Sequence, residues 1–237
     1  MYCQIPFGQI GPAHYAIRDL ASKLGRTPDA VALKLSNLAS LDPDLQARGV
    51  VGMRHGASID RIVWNEFFGH WDLLAEASPI AEIQASTPPL EVSRLVRESA
   101  TYETEKMGTR KERRGQAFFR NTVLAAYDGR CCITGIMRPE LLRASHIIPW
   151  SVSLEKRLSP MNGLALNALH DAAFDSGLVT LDTKRRVVLS SRLKEQIPKR
   201  LFAEFFARFE GAAVADPMRF QPSDENLAYH RERIFQA

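Results

Sequence analysis

Cysteine is scarce in this chain. Cys3, Cys131 and Cys132 are the only 3 in 237 residues, and the adjacent pair cannot readily bridge itself, so a disulfide-stapled secreted scaffold is excluded. Long apolar runs are absent as well: nothing approaches the roughly 20 residues that span a bilayer. Met1 to Ile10 lacks the basic start and apolar core of a signal peptide. A cytoplasmic protein with no membrane partner is expected. There is no internal repeat and no low-complexity tract. What remains is 45% hydrophobic and 24% charged, an ordinary globular composition with room for two small domains. A net charge of +4 and a pI near 9.1 tilt mildly toward a polyanionic partner.

The N-terminal third reads as helical. Tyr15, Ile17, Leu20, Ala21 and Leu24 recur at helical spacing before Gly25, a natural stop. Thr27 and Pro28 then restart a helix with Val31, Leu35 and Leu38 as its apolar stripe. This helix, tight turn, helix pattern resembles a helix-turn-helix, which would offer Asp29, Lys34 and Asn37 to a DNA groove, with Lys23 and Arg26 near phosphates. A plain helical bundle with a solvated polar face is the other reading. Trp64, Phe67, Phe68 and Trp71 resume the helical period and are expected to be core rather than a cage for a flipped base. Arg54 and His55 sit in a glycine-bounded loop suited to phosphate contact or plain solvent exposure.

The expected organisation is α+β: a helical, helix-turn-helix-like domain over 1–77, a linker over 78–104 opened by the proline-rich Ser78 to Pro89, and a second domain over 105–237. The second domain begins with a strong basic excess. Arg110, Lys111, Arg113 and Arg114 precede the buried helical face of Ala117, Phe118, Val123 and Leu124, and such a run abutting a catalytic core is expected to clamp phosphates.

The stretch from Cys131 to Asp182 carries the chemistry. Arg130 to Thr134 and Leu142 to Ile148 read as two strands joined around Gly135 to Pro139, and Gly163 to Asp171 as a helix: a ββα unit. Further on, Leu178 to Asp182 and Arg186 to Ser190 read as a strand pair, with helices at Leu201 to Phe209 and Asp224 to Phe235. Hydrolysing a phosphodiester needs an activated water, a cation and tight positioning. His146, near the end of the second strand, has the side chain suited to accept a water proton at neutral pH. His170 on the helix is the expected metal ligand, with Asp175 as second ligand and Asp171 as a less favoured alternative about 100° round the helix. Asn162 would open that helix as an N-cap, or fix the loop that carries His146. Arg143 and Arg157 flank His146 and are placed to contact phosphates. With one imidazole and oxygen ligands, magnesium or manganese is the expected ion.

The order His146, Asn162, His170, set in SHIIPW, RLSPMNGLALNALH and AFDSGL, resembles the HNH superfamily of ββα-metal nucleases, in its restriction-endonuclease-like branch; the flanks GQAFFRNTVLAAYDGRCCITG and LAYHRERIF extend the likeness over roughly Arg110 to Phe235. The resemblance implies a metal-dependent endonuclease acting on double-stranded DNA, with His146 as base, Asn162 as positioning residue and His170 as metal ligand. A homodimer, at least on DNA, would let one site per chain cut both strands. Two departures stand out. Many relatives have an acidic or histidine ligand immediately before the base, where this chain has Ser145. Many also hold structural zinc on two C-x-x-C pairs. Here Cys131 is followed by Thr134, and the second pair would fall on Leu166 and Leu169, so no structural zinc is expected and apolar packing should replace it. A DNA-binding regulator with a catalytically silent ββα scaffold is the alternative from another class.

Overall fold

The computed structural model describes residues 1–51, 58–78, 105–195 and 197–237, with the backbone alone for 105–110. Arg54, His55, the Arg110 side chain and the expected linker beyond Ser78 therefore lie outside the described residues.

The N-terminal helices form where capping chemistry starts and stops them. α1 (Tyr15–Lys23) begins at His14, whose Nδ1 accepts from the Ala16 N–H, and gives way at Gly25 with φ +59°. α2 (Pro28–Ala39) is capped by Thr27, whose hydroxyl accepts from the Ala30 N–H at 3.2 Å. α3 (Pro43–Ala47), α4 (Ser58–Phe67) and α5 (Trp71–Glu76) follow. α4 packs on α2. The Lys34 ammonium lies 2.7 Å from the buried Asp60 carboxylate of α4, while Asn37 is half-buried.

A long helix, α6 (Glu105–Ala126), is the spine of the molecule. Phe118, Phe119, Val123 and Ala126 are buried on it. It packs on α5 and on the turn at Tyr2–Gln4, and also on both strands of the central sheet. That sheet pairs β1 (Leu142–His146) with β2 (Gly163–Asn167), antiparallel, from Leu142 opposite Asn167 to His146 opposite Gly163. α7 (Ala168–Asp175) follows at once. A ββα unit is present, but its first strand partner differs from expectation. Residues 130–134 form a turn, closed by Gly135 N–H to Cys131 C=O at 2.8 Å and tied to β2 by Cys132 N–H to Ala165 C=O at 2.8 Å. The sixteen-residue segment 147–162 joins the true strands.

Gly163 to Asn167 is a strand although it reads as the start of a helix. All five of its residues are buried, so it shows no alternation, and a short wholly buried strand cannot be told from a buried helical turn by periodicity. The helix starts five residues later than expected, capped by Asn167, whose Oδ1 accepts from the N–H groups of Leu169 and His170 at 3.0 Å each. Asn162 is thus not the helix cap.

β3 (Val179–Leu181) and β4 (Val187–Leu189) make the expected second hairpin, its turn held by Asp182. α8 (Lys199–Phe205) and α9 (Asp224–Arg233) complete an α+β chain. The N-terminal helices and the strands share a continuous core. Trp71 meets Phe220 edge to face at 5.3 Å, and the wholly buried Arg219 guanidinium lies over Tyr2 and Phe220 while donating to the carbonyls of Cys3 and Ile5. Among the described residues no helix is long and apolar enough to cross a membrane.

Candidate active site

A cleft of about 390 Å³ opens where β1 meets α7, lined among others by Arg143, Ser145, His146, Trp150, Asp171 and Asp175. The side chains of a strand alternate, which turns Ser145 toward α7 and His146 toward α6. The His146 ring stacks on Phe119 at 3.8 Å between centroids, 10° from parallel, and meets the edge of Trp150 at 5.5 Å. Its Nε2 lies 3.0 Å from the Arg157 carbonyl. A carbonyl can only accept, so Nε2 carries the hydrogen and Nδ1 keeps its lone pair. Burial lowers the imidazole pKa and so favours the neutral ring, an effect partly offset by the Arg157 carbonyl.

Asn162, 1% exposed, holds the loop that leaves His146. Its Oδ1 accepts from the Ile148 N–H at 2.9 Å, and its Nδ2 donates to the Ile148 carbonyl at 3.0 Å and the Lys156 carbonyl at 3.3 Å. Both polar ends of the amide are therefore spent on the segment 147–162.

On the facing helix, Asp171 and Asp175 stand one turn apart, which puts them on the same side. The Ser145 hydroxyl donates to Asp175 Oδ1 at 3.3 Å. Burial, and then the charge of Asp171, raise Asp175 to about 6. Burial likewise raises Asp171, against the pull of Ser145, Arg143 and Arg120. The pair carries more negative charge than its protein neighbours compensate, as a cation-binding pair does before its ion arrives. Among the described residues no three His, Cys, Asp or Glu side chains converge on a point. Two carboxylates with the remaining positions open still suit magnesium, which keeps water and takes substrate phosphate oxygens.

The structure does not bring His170 to this site. The ring is 2% exposed, with Nδ1 2.7 Å from the Asn167 amide nitrogen and Nε2 2.9 Å from the Phe205 carbonyl, so both nitrogens are occupied. The expected pair of His170 with Asp175 is replaced by Asp171 with Asp175. The cause is helical phase: on α7 position 171 lies about 40° from 175 and position 170 about 140° from it, so His170 faces away from the carboxylate pair. Asn167 also reaches Thr134 Oγ1 at 3.2 Å and the Cys131 sulfur at 3.7 Å. The residue that meets Cys131 and Thr134 is therefore Asn167, not Leu166 or Leu169, and its amide also joins His170. Leu166 is fully buried, but Leu169 is 46% exposed and packs nothing there.

The expected DNA contacts divide. Lys111 pairs with Glu76 of α5, and Arg114 donates to the Glu76 carbonyl at 3.4 Å, so this part of the run faces the N-terminal helices; Arg113 is exposed. Arg143 is exposed at the cleft, with one guanidinium nitrogen shared between the Glu140 and Leu142 carbonyls. Arg157 turns inward onto Trp150. His230, not foreseen at the site, also lines the cleft, but its nitrogens are taken by Thr180 and the Phe174 carbonyl.

A family model described as HNH endonuclease matches residues 131–182. No curated protein matches the chain. The matched stretch holds the cleft's strand, loop and helix, with His146, Asn162 and the carboxylate pair. The match and this geometry together mark residues 131–182 as similar to an HNH endonuclease domain.

Proposed function

We propose that this protein is a metal-dependent DNA endonuclease of the restriction type, hydrolysing phosphodiester bonds with His146 as general base and Asp171 and Asp175 as the carboxylates that hold a magnesium or manganese ion. The observation that carries the reading is the His146 ring. It is held flat on Phe119, with Nε2–H donated to a main-chain carbonyl, beside two carboxylates in one cleft.

His146 takes a proton from water at Nδ1, the nitrogen left basic by the Arg157 carbonyl, and burial keeps the ring neutral and ready at neutral pH. Asn162 keeps the loop behind His146 from shifting the ring. Arg143, exposed on the rim, reaches the phosphate flanking the scissile bond. Asp171 and Asp175 would hold a divalent ion, which when bound would neutralise the charge that builds on the phosphate oxygens. Ser145 donates its hydroxyl to Asp175 and so helps to hold that carboxylate in place.

Duplex DNA is the substrate this arrangement supports, and with one such site per chain, cutting both strands calls for two chains on the same duplex. The N-terminal helices give little support to an aromatic cage for a modified base. The cavity among Tyr2, Trp64, Phe67, Phe68 and Trp71 is about 80 Å³, well under the ~300 Å³ at which ligand pockets begin. The test is cleavage of plasmid DNA with magnesium or manganese. His146→Ala should abolish cutting while DNA binding stays within about two-fold, and cutting at the wild-type rate by that variant would remove His146 from the mechanism.

A further inference from the structure

The segment 147–162 leaves the sheet at His146 and returns at Asn162, so whatever sets its shape also sets the base. Arg157, half-buried within it, makes three contacts that meet on this point. Its carbonyl accepts from His146 Nε2 at 3.0 Å. Its side-chain Nε donates to the Trp150 carbonyl at 2.6 Å. Its guanidinium lies 5.1 Å from the centroid of the Trp150 ring, and the other side of that contact chain is the Trp150 edge against the His146 ring at 5.5 Å. The circuit is closed: imidazole, Arg157 main chain, Arg157 side chain, Trp150, imidazole.

We infer that Arg157 is a positioning residue for the general base, its Nε–H strut to Trp150 holding the Arg157 carbonyl where it fixes the His146 tautomer, rather than a residue that binds phosphate. The inference rests on the nuclease reading and deepens it. The geometry is specific to arginine. In lysine a methylene stands where Nε–H stands in arginine, and the ammonium takes the place of the guanidinium carbon. Lysine therefore keeps the charge and the contact over the indole ring but has no hydrogen at the point that meets the Trp150 carbonyl. A phosphate contact has the opposite preference, since a lysine ammonium binds phosphate as a point charge. The other contacts of the loop, from Asn162 to Ile148 and from Lys156 to Glu225 and Asn226, do not pass through the Arg157 side chain, so the loop has independent reasons to stay folded.

The experiment compares the full-length protein with Arg157→Lys and Arg157→Ala, each checked for folding by thermal melting. Plasmid cleavage gives kcat and KM, and the salt dependence of DNA binding gives the number of phosphate contacts. Both variants should lose at least about ten-fold in kcat, with KM and the salt slope unchanged. Rescue of kcat by lysine, or an alanine effect confined to KM with a salt slope lower by about one unit, overturns the inference. A second readout does not need cleavage: long-range proton–nitrogen NMR of the His146 ring. Wild type should show a single Nε2–H tautomer and Arg157→Lys a mixture, whereas an unchanged tautomer in both variants overturns the positioning role. If wild type cuts no DNA, the nuclease reading fails on its own, and the NMR result still decides whether Arg157 holds the ring. Should Arg157→Ala fail to fold, Arg157→Lys alone carries the comparison.

Discussion

Asp171 and Asp175 stand one turn apart in the cleft, and the balance of charge around them makes the site's behaviour depend on pH. Without a cation, Asp175 titrates near 6, above its ordinary value. A raised carboxyl contributes stability that is full below its unfolded pKa and is lost as pH rises through the folded value, so this group favours the metal-free fold below about 6. Metal binding has the opposite sign, because the ligand must be deprotonated. Magnesium or manganese at about a hundred times its dissociation constant should add roughly 2.7 kcal/mol, a rise in melting temperature of roughly 5–10 °C near pH 7.5. At pH 5 most of that rise should vanish. Melting curves with and without chelator check it, and an equal rise at both pH values would remove Asp175 from the ligand set. Asp171→Asn and Asp175→Asn should each abolish the rise. His170→Ala should leave the rise intact while lowering the midpoint itself, because it strands the Phe205 carbonyl and takes one acceptor from the Asn167 amide, a loss of about 1–3 kcal/mol. His146 and Asp175 are residue types that announce their chemistry and line the cleft, and Asn162 holds the loop that leaves His146. His170 announced itself as strongly and stands elsewhere, because residue type says nothing about which way a helix is turned.

At the scale of elements, the capped helices were legible and the buried strand was not. Thr27 with Pro28 marked the start of α2, and Gly25 the stop after α1, because caps and left-handed stops have local signatures. β2 has no such signature: it is apolar on both faces because α6 covers it and α7 follows at once. Gly163 holds the key to that packing. A Cβ there would stand 2.4 Å from Val123 Cγ2 and 2.9 Å from Phe119 Cζ, and Phe119 is the platform on which His146 lies. Gly163→Ala should therefore cost about 1–3 kcal/mol from overpacking and lower kcat by more than the stability loss alone explains, read by melting and by cleavage on the folded fraction. A variant with reduced stability but wild-type kcat would show that Phe119 yields without moving the base. Asn167 has the same double standing, capping α7 while its amide joins Cys131, Thr134 and His170. The spacing that the resemblance implies put this meeting point on Leu166 and Leu169, whereas Asn167, one residue after Leu166, fills it.

Across the whole molecule, the question is whether the N-terminal helices and the HNH part unfold together. The contacts between them are buried and varied. Arg219 lies between Tyr2 and Phe220, Asp44 accepts from the N–H groups of Phe220 and Gln221, Arg48 donates to the Pro217 carbonyl, and Trp71 packs on Phe220. The segment around 217–221, far from residues 2–48 in sequence, thus ties the two ends of the chain, a link that no local pattern in the sequence could disclose. Arg219 is the centre of this seam, fully buried, with its Nε and Nη1 lacking any hydrogen-bond partner among the described residues. Its hold comes from aromatic faces and from main-chain carbonyls rather than from a carboxylate. Arg219→Ala would remove a large buried side chain, costing about 3–5 kcal/mol if the loss matches other large-to-small core changes, or roughly 10 °C at this chain length. Because the other crossing contacts remain, the loss should appear as one transition at lower temperature. Calorimetry decides, with calorimetric and van't Hoff enthalpies equal in both wild type and variant. Two separated transitions in wild type would mean that the seam is too weak to couple the halves, and the N-terminal helices would then be free to meet DNA independently of the cleft.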